Sequence, residues 1–306
     1  MLRAAFIALS ENRSLRHIAE SSSLGQRVSS RFVAGTTVDE TLKATQEINA
    51  LGMSASLDNL GENVTNAEEA QHSAQLYHEL LDRISERGLD ANVSLKLTHM
   101  GFDVDQKLAT GIVAALVQHA RRKRNFVRVD MEGSPYTQRT LDLVEEIHRQ
   151  DGNRGVVGAV IQAYLRRSEA DIHNLTLQGI RIRLCKGAYK EPPEIAFPDK
   201  SEVDANYVKL MKILLKSGVY HGIATHDEKM IEATIRFAQA EKIPANTFEF
   251  QMLYGVRRDL QRELVKQRWR MRVYIPFGTE WYPYFMRRLA ERPANAIFVA
   301  KNLFRS

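Results

Sequence analysis

An α/β fold, a (β/α)8 barrel preceded by helices, is predicted by three observations. Short β-branched runs alternate with amphipathic helical stretches eight times in about 240 residues, the count of a closed parallel barrel. No G-x-G-x-x-G or G-x-x-x-x-G-K-[ST] string occurs, so an open doubly wound sheet would lack its usual phosphate loop. The 306 residues are 44% hydrophobic and 26% charged, which excludes wholesale disorder, collagen and coiled coil.

Residues 1–50 read as an N-terminal helical region and residues 51–306 as the barrel domain. The first 31 residues hold five Arg, seven Ser and two Glu, a balance resembling an organelle transit peptide. Leu2, Phe6, Ile7 and Leu9 give the stretch one apolar face, so an ordinary amphipathic helix is expected instead. The first strand, 54–57, ends at Asp58 and leads to a helix over 66–86. Strand 92–97 leads to helix 105–122, and strand 126–130 to a helix opening near Pro135, a residue suited to a first turn. Strand 157–162 precedes a helix opened by Ser168 and Glu169. Strand 180–186 is followed by a loop with Pro192, Pro193 and Pro198, then by helix 202–216. Strand 221–225 leads to helix 228–240, which Pro244 follows; strand 247–251 leads to helix 257–268; strand 271–275 leads to helix 280–291.

Charge and cysteine narrow the function. Lys and Arg number 43 against 37 Asp and Glu, a net charge of +6. Residues 257–306 hold 12 basic and 4 acidic residues, a balance of +8, leaving −2 for the rest. That distribution argues against a nucleic-acid partner. One cysteine, Cys185, permits no intramolecular disulfide, and a reducing, cytoplasmic setting is expected. The nine histidines show no H-x-x-x-H or H-E-x-x-H spacing, so no metal site is expected. No apolar run reaches the length of a transmembrane helix.

Barrel strands are buried on both faces, so polar residues in them need a reason. They fall at or just after the C-terminal ends: Asp58, Lys96, Asp130, Gln162, Arg183 with Lys186, Thr225 with His226, Glu249 with Gln251, and Tyr274. That rim is where barrels build their sites. Lys96, Arg183 and Lys186 aim three cations at one mouth with few acids, which predicts a ligand bearing anionic groups; Asp130 paired with one of them is the bland alternative. In the last helix Tyr284, Arg287, Arg288 and Glu291 share a face, beside the apolar Phe285 and Leu289. That face is either solvated or a carboxylate clamp. Cys185 reads as packing, and Trp269 and Trp281 as core aromatics.

Several strings then resemble the proline dehydrogenase family: Ser94-Leu95-Lys96-Leu97, Arg128-Val129-Asp130-Met131-Glu132, Ile161-Gln162-Ala163-Tyr164, Arg183-Leu184-Cys185-Lys186-Gly187-Ala188-Tyr189, Ala224-Thr225-His226-Asp227 and Phe248-Glu249-Phe250-Gln251-Met252-Leu253. Tyr284-Phe285-Met286-Arg287-Arg288-Leu289-Ala290-Glu291 matches the family's Y-x-x-R-R-x-x-E motif. The resemblance implies a distorted TIM barrel of the monofunctional bacterial type. It implies FAD as cofactor and L-proline as substrate, oxidised to Δ1-pyrroline-5-carboxylate by hydride transfer from C5 to flavin N5. It also implies a membrane quinone as electron acceptor. By the same resemblance Lys96, Arg287 and Arg288 hold the substrate carboxylate, Glu291 orients the arginines, and Tyr284 completes the motif. Asp130 and Tyr274 lie beside the substrate, and Leu253 and Tyr189 pack on its ring. Gln162 and Arg183 contact the isoalloxazine, with Met131 near it. Lys186, Thr225 and His226 hold the ribityl or pyrophosphate part, and Gly187 and Ala188 allow close backbone approach. Arg257, Arg258, Arg262, Lys266 and Arg268 gain no ligand this way, and peripheral contact with an anionic membrane is expected of them.

Overall fold

Strands buried on both faces normally read as continuous apolar runs, yet Phe126-Val127-Arg128-Val129-Asp130 and Ile180-Arg181-Ile182-Arg183-Leu184 alternate. In the computed structural model one face of each strand packs beneath helices while the other lines a polar lumen. The structure describes residues 29–61 and 63–291, without the side chains of 287–291; the expected helix carrying Leu2, Phe6, Ile7 and Leu9 lies outside the described residues.

Eight parallel strands close in chain order into one barrel. They are β1 (Ser54–Asn59), β2 (Ala91–Leu95), β3 (Val127–Val129), β4 (Val157–Gln162), β5 (Arg181–Cys185), β6 (His221–Ala224), β7 (Phe248–Leu253) and β8 (Met271–Phe277). The β1–β8 seam pairs Ser56 with Tyr274 and Leu57 with Ile275. The described helices are α1 (Val38–Ala50), α2 (Ala67–Glu86), α3 (Gln106–Arg122), α4 (Ser134–Arg149), α5 (Ser168–Leu177), α6 (Lys200–Lys216), α7 (Glu228–Ala240), α8 (Arg258–Lys266) and α9 (Trp281–Glu291). Each is among the helices anticipated from the sequence, with boundaries moved by a few residues. None is long and apolar enough to cross a membrane.

Local chemistry sets the helix starts. Thr37 and Glu40 form a reciprocal capping box at α1, and Asn66, Asp105 and Asp227 accept backbone N–H groups at α2, α3 and α7. Each such cap contributes about 1 kcal/mol. The apolar strand face (Leu57, Val93, Leu95, Val129, Ile182, Leu184, Phe250, Val273) and the inner helix faces bury one continuous core, which Leu42 and Ile48 of α1 join. Trp269 packs against Phe248 and Phe250 at ring separations of 5.7 and 6.1 Å, a core role as expected. A second cluster of Phe32, Leu60, Val256, Trp281, Tyr284 and Phe285 seats α9 on the loops after β1 and β7. That places α9 at the C-terminal mouth.

The polar lumen corrects one expectation. Polar side chains are not confined to strand ends; Arg128, Glu249 and Arg272 are buried lower in the barrel. Glu249 takes Arg272 Nε at 2.7 Å, Gln251 Nε2 at 2.6 Å and the Tyr220 hydroxyl at 2.9 Å. Burial alone would raise the Glu249 carboxyl, but Arg272 and these hydrogen bonds hold it below the usual range.

His221 lies under this layer, its Nδ1 accepting Ile182 N–H at 3.0 Å and its Nε2 2.9 Å from the Ser217 hydroxyl. Burial, then Arg128 and Arg181, push it from 6.5 down to about 3. A neutral ring is thus favoured by folding. Its stabilisation is complete above pH 6.5 and is lost as pH falls toward about 3. At ~1.4 kcal/mol per pH unit the swing reaches roughly 4–5 kcal/mol. Urea midpoints of the wild-type protein should therefore fall more steeply over that window than those of His221→Gln; equal slopes would remove His221 as the cause.

Candidate active site

The site grows from β5. Arg183 points into the lumen, where its Nη1 donates to Asp130 Oδ1 at 2.5 Å and Ser94 Oγ at 3.1 Å. Its Nε donates to Gln251 Oε1 at 2.6 Å and its Nη2 to Ser56 Oγ at 3.3 Å. One guanidinium therefore ties β1, β2, β5 and β7 to the residue after β3. Its planar fork suits this, since four of its five N–H groups meet acceptors among the described residues. Asp130 also receives the Ser94 hydroxyl at 2.8 Å and, on its other oxygen, the Tyr274 hydroxyl at 2.8 Å. Burial, then Asp130 and Asp58, push the Tyr274 phenol well above 10, so it stays a proton donor.

A second ion pair stands alongside. Lys96 Nζ lies 3.3 Å from Asp58 Oδ2, and Asp58 is fully buried. Burial raises the Asp58 carboxyl, with Asp130 adding to the rise and Lys96 opposing it. Tyr77 braces this corner: its hydroxyl donates to the Ser94 carbonyl at 2.9 Å and accepts Asn59 N–H at 3.1 Å.

The expected cationic mouth needs correction. Lys96 meets Asp58, Arg183 meets Asp130, and Lys186 meets Asp204 and, at 2.8 Å, Asp227. With Lys200, which also pairs with Asp204 and Asp227, four cations face four acids among the described residues. The sequence reading missed Asp204 because it sits on α6, which no strand-end rule brings to the rim.

The remaining predicted residues fall as follows. Gln162 ends β4, is buried, and its Oε1 has no hydrogen-bond partner among the described residues. Met131 is buried beside β3. Thr225 Oγ1 accepts Asp227 N–H at 3.1 Å, and His226 Nε2 accepts Leu253 N–H at 2.9 Å, which joins the ends of β6 and β7. Gly187 has φ +106°, and a Cβ there would lie 2.2 Å from the Tyr164 ring, so the Tyr164 ring itself requires glycine at this position. Ala188 is exposed, as is Tyr189 at 42%. Leu253 packs on the cluster that seats α9, and Tyr284 is buried within it. The α9 backbone carries Arg287, Arg288 and Glu291 past the mouth, but their side chains lie outside the described residues.

Ser56, Ser94, Asp58 and Tyr77 are the contributors that sequence reasoning left without a role. Burial pushes the Cys185 thiol up to about 12, so no thiolate forms near neutrality and packing is its role. Among the described residues no group of three or more His, Cys, Asp or Glu side chains could hold a metal ion.

A family model described as "Proline dehydrogenase" matches residues 41–301. Proline dehydrogenase 1 of Bacillus subtilis strain 168 is 41% identical over 307 residues, spanning 100% of both chains. Proline dehydrogenase of Deinococcus radiodurans is 35% identical, covering 100% of this chain and 98% of its own. Among solved structures, proline utilization A from Bdellovibrio bacteriovorus inactivated by N-propargylglycine superposes with a TM-score of 0.83 at 27% identity, covering 95% of this chain and 36% of that longer one.

Proposed function

The chain belongs to the proline dehydrogenase family, and from that membership we propose that it oxidises L-proline to Δ1-pyrroline-5-carboxylate at the C-terminal mouth, with bound FAD. The observation that carries this is the Asp130 clamp, with donors from Arg183, Ser94 and Tyr274, on the same strand-end rim as a buried Gln162 carbonyl that lacks a donor among the described residues. A buried amide oxygen without a partner is costly unless a ligand N–H completes it, and the isoalloxazine edge offers one.

On this reading Gln162 and Arg183 hold the isoalloxazine, and Met131 packs against it. Lys186, Thr225 and His226, with backbone at Gly187 and Ala188, serve the ribityl and pyrophosphate portion. Bound FAD would supply a two-electron acceptor for the hydride leaving proline C5 while the proline nitrogen gives up a proton to solvent, and a membrane quinone would be the class of acceptor for those electrons afterwards. The protein's own work is orientation and electrostatics. Lys96, Arg287 and Arg288 hold the carboxylate, and Glu291 orients the arginines. Tyr284 anchors their helix, while Tyr189 and Leu253 enclose the ring and exclude water. Asp130 fixes Arg183 and Tyr274 against the substrate. A lysine Schiff base is disfavoured, because Lys96 and Lys186 are both engaged in ion pairs with carboxylates. The basic residues around α8 are proposed to touch an anionic membrane, and binding to vesicles independent of acidic lipid would end that idea.

The purified protein should be yellow, with a flavin spectrum that proline bleaches. A protein that stays colourless after incubation with FAD would overturn the proposal. Arg287→Ala or Arg288→Ala should raise the proline KM by roughly 10- to 100-fold, the worth of one charge-assisted hydrogen bond, with FAD retained. Flavin loss at normal KM would reassign both arginines.

A further inference from the structure

The opposite mouth of the barrel holds a cation that this reaction does not use. Arg181 opens β5 at the N-terminal end of the strands. Its guanidinium carbon lies over two aromatic rings, 4.4 Å from the Phe126 centroid and 4.8 Å from that of Tyr220. Contacts with two ring faces hold an arginine but spend none of its N–H donors. Among the described residues no hydrogen bond or ion pair uses those donors, and Nε is buried without an acceptor.

Its neighbours' hydrogen bonds are made to other groups, although Glu249 attracts Arg181 from a distance. Arg272 is paired with Glu249 and donates to the Ala55 carbonyl at 2.6 Å. Arg128 donates to the carbonyls of Ala159 and Arg181 at 2.9 and 2.6 Å. The lower lumen thus carries Arg128, Arg181 and Arg272 against Glu249, an excess of two positive charges. Buried charge is ordinarily matched by opposite charge. The loops entering the strands add to the field, with Arg87, Lys123, Arg124, Arg154, Lys242, Arg268 and Arg270 against Asp90, Asp151 and Glu241. Helix dipoles explain why cations collect at those loops, but not a held guanidinium without a hydrogen-bond acceptor among the described residues. Arg270 lies over the Tyr220 ring as well, at 5.7 Å, so a second cation borders the same opening.

We propose that the N-terminal mouth of the barrel is a second binding site, in which Arg181, flanked by Arg270, takes a small oxyanion such as a phosphate or carboxylate. The rings hold the fork, the excess charge draws the anion in, and the unused N–H edge receives two of its oxygens.

The test uses the FAD-loaded enzyme with inorganic phosphate as probe at constant ionic strength, read by titration calorimetry and thermal shift. Wild type should show one saturable site per chain. Arg181→Gln should weaken it at least tenfold and Arg270→Gln severalfold, with proline kcat/KM of both variants within twofold of wild type. Arg181→Lys, which keeps the charge and loses the fork, should weaken it as well; this variant stands in if Arg181→Gln does not fold. A parallel arm with phosphatidylglycerol vesicles identifies the source. Vesicle binding that phosphate competes away assigns the anion to a lipid headgroup, whereas phosphate binding alone assigns a free ion. Absence of saturable binding, binding that proline displaces, or binding unchanged in the Arg181 variants overturns the proposal.

Discussion

Asp130→Asn should lower kcat/KM for proline by about 10²- to 10³-fold, roughly 3–4 kcal/mol of lost transition-state stabilisation. The estimate follows from what meets the carboxylate. Arg183 and Ser94 donate to Oδ1 at 2.5 and 2.8 Å, and Tyr274 donates to Oδ2 at 2.8 Å. An amide offers one acceptor and turns an N–H2 group toward donors on the other side. Either Tyr274 or Arg183 then faces a donor inside a buried lumen, at a cost comparable to an unmet charge-assisted bond. Because the loss falls on orientation, kcat should drop more than KM rises, and FAD should stay bound. The double variant Asp130→Asn with Tyr274→Phe should be little worse than Asp130→Asn alone, since both act through one contact. A fall below threefold would separate Asp130 from the chemistry, and additive losses would break the clamp into independent parts.

The barrel was legible because its signal is periodic. Eight strand–helix alternations survive boundary errors of a few residues, and the absent glycine-rich loop removes the competitor. The rim was legible because Asp130, Arg183 and Tyr274 are polar where burial forbids polarity without a partner. The lower lumen could have been read too: Arg128, Arg181, Arg183 and Arg272 all alternate with β-branched, leucine or methionine neighbours, so they share the inward face. Attention to strand ends alone hid that pattern. Other contributors leave no trace. Ser56 and Ser94 are ordinary residues until Arg183 reaches them across the lumen. Asp204 and Tyr77 arrive from helices, and a contact between a helix side chain and a loop follows no spacing rule. The charge of the mouth was misjudged for that reason: cations were visible at strand ends, whereas Asp204 came from a helix.

That polar lumen makes Glu249→Leu the variant with the largest expected effect on stability, about 3–5 kcal/mol. Glu249 is the carboxylate on which Arg272 Nε, Gln251 Nε2 and the Tyr220 hydroxyl converge. Leucine leaves Arg272 charged and desolvated, with Arg181 as a neighbour of the same sign. Against a typical total of ~5–15 kcal/mol this approaches global unfolding, and urea titration would measure it. The cause can be separated from simple loss of packing. Arg272→Met removes the stranded cation, so Glu249→Leu with Arg272→Met should recover much of the loss, as replacement of buried ion pairs by apolar groups of similar volume often does. If the double variant is as unstable as Glu249→Leu, shape and not charge holds this layer. The damage should also climb the lumen. Gln251 is held by Glu249 on one side and holds Arg183 Nε at 2.6 Å on the other. Glu249→Gln, nearly isosteric, loses the charge but can keep a hydrogen bond to each neighbour. It should therefore fold and still lower kcat by ~10-fold through a displaced Arg183, about one hydrogen bond's worth. Unchanged kcat in a folded Glu249→Gln would confine this ion pair to stability and detach it from the site above.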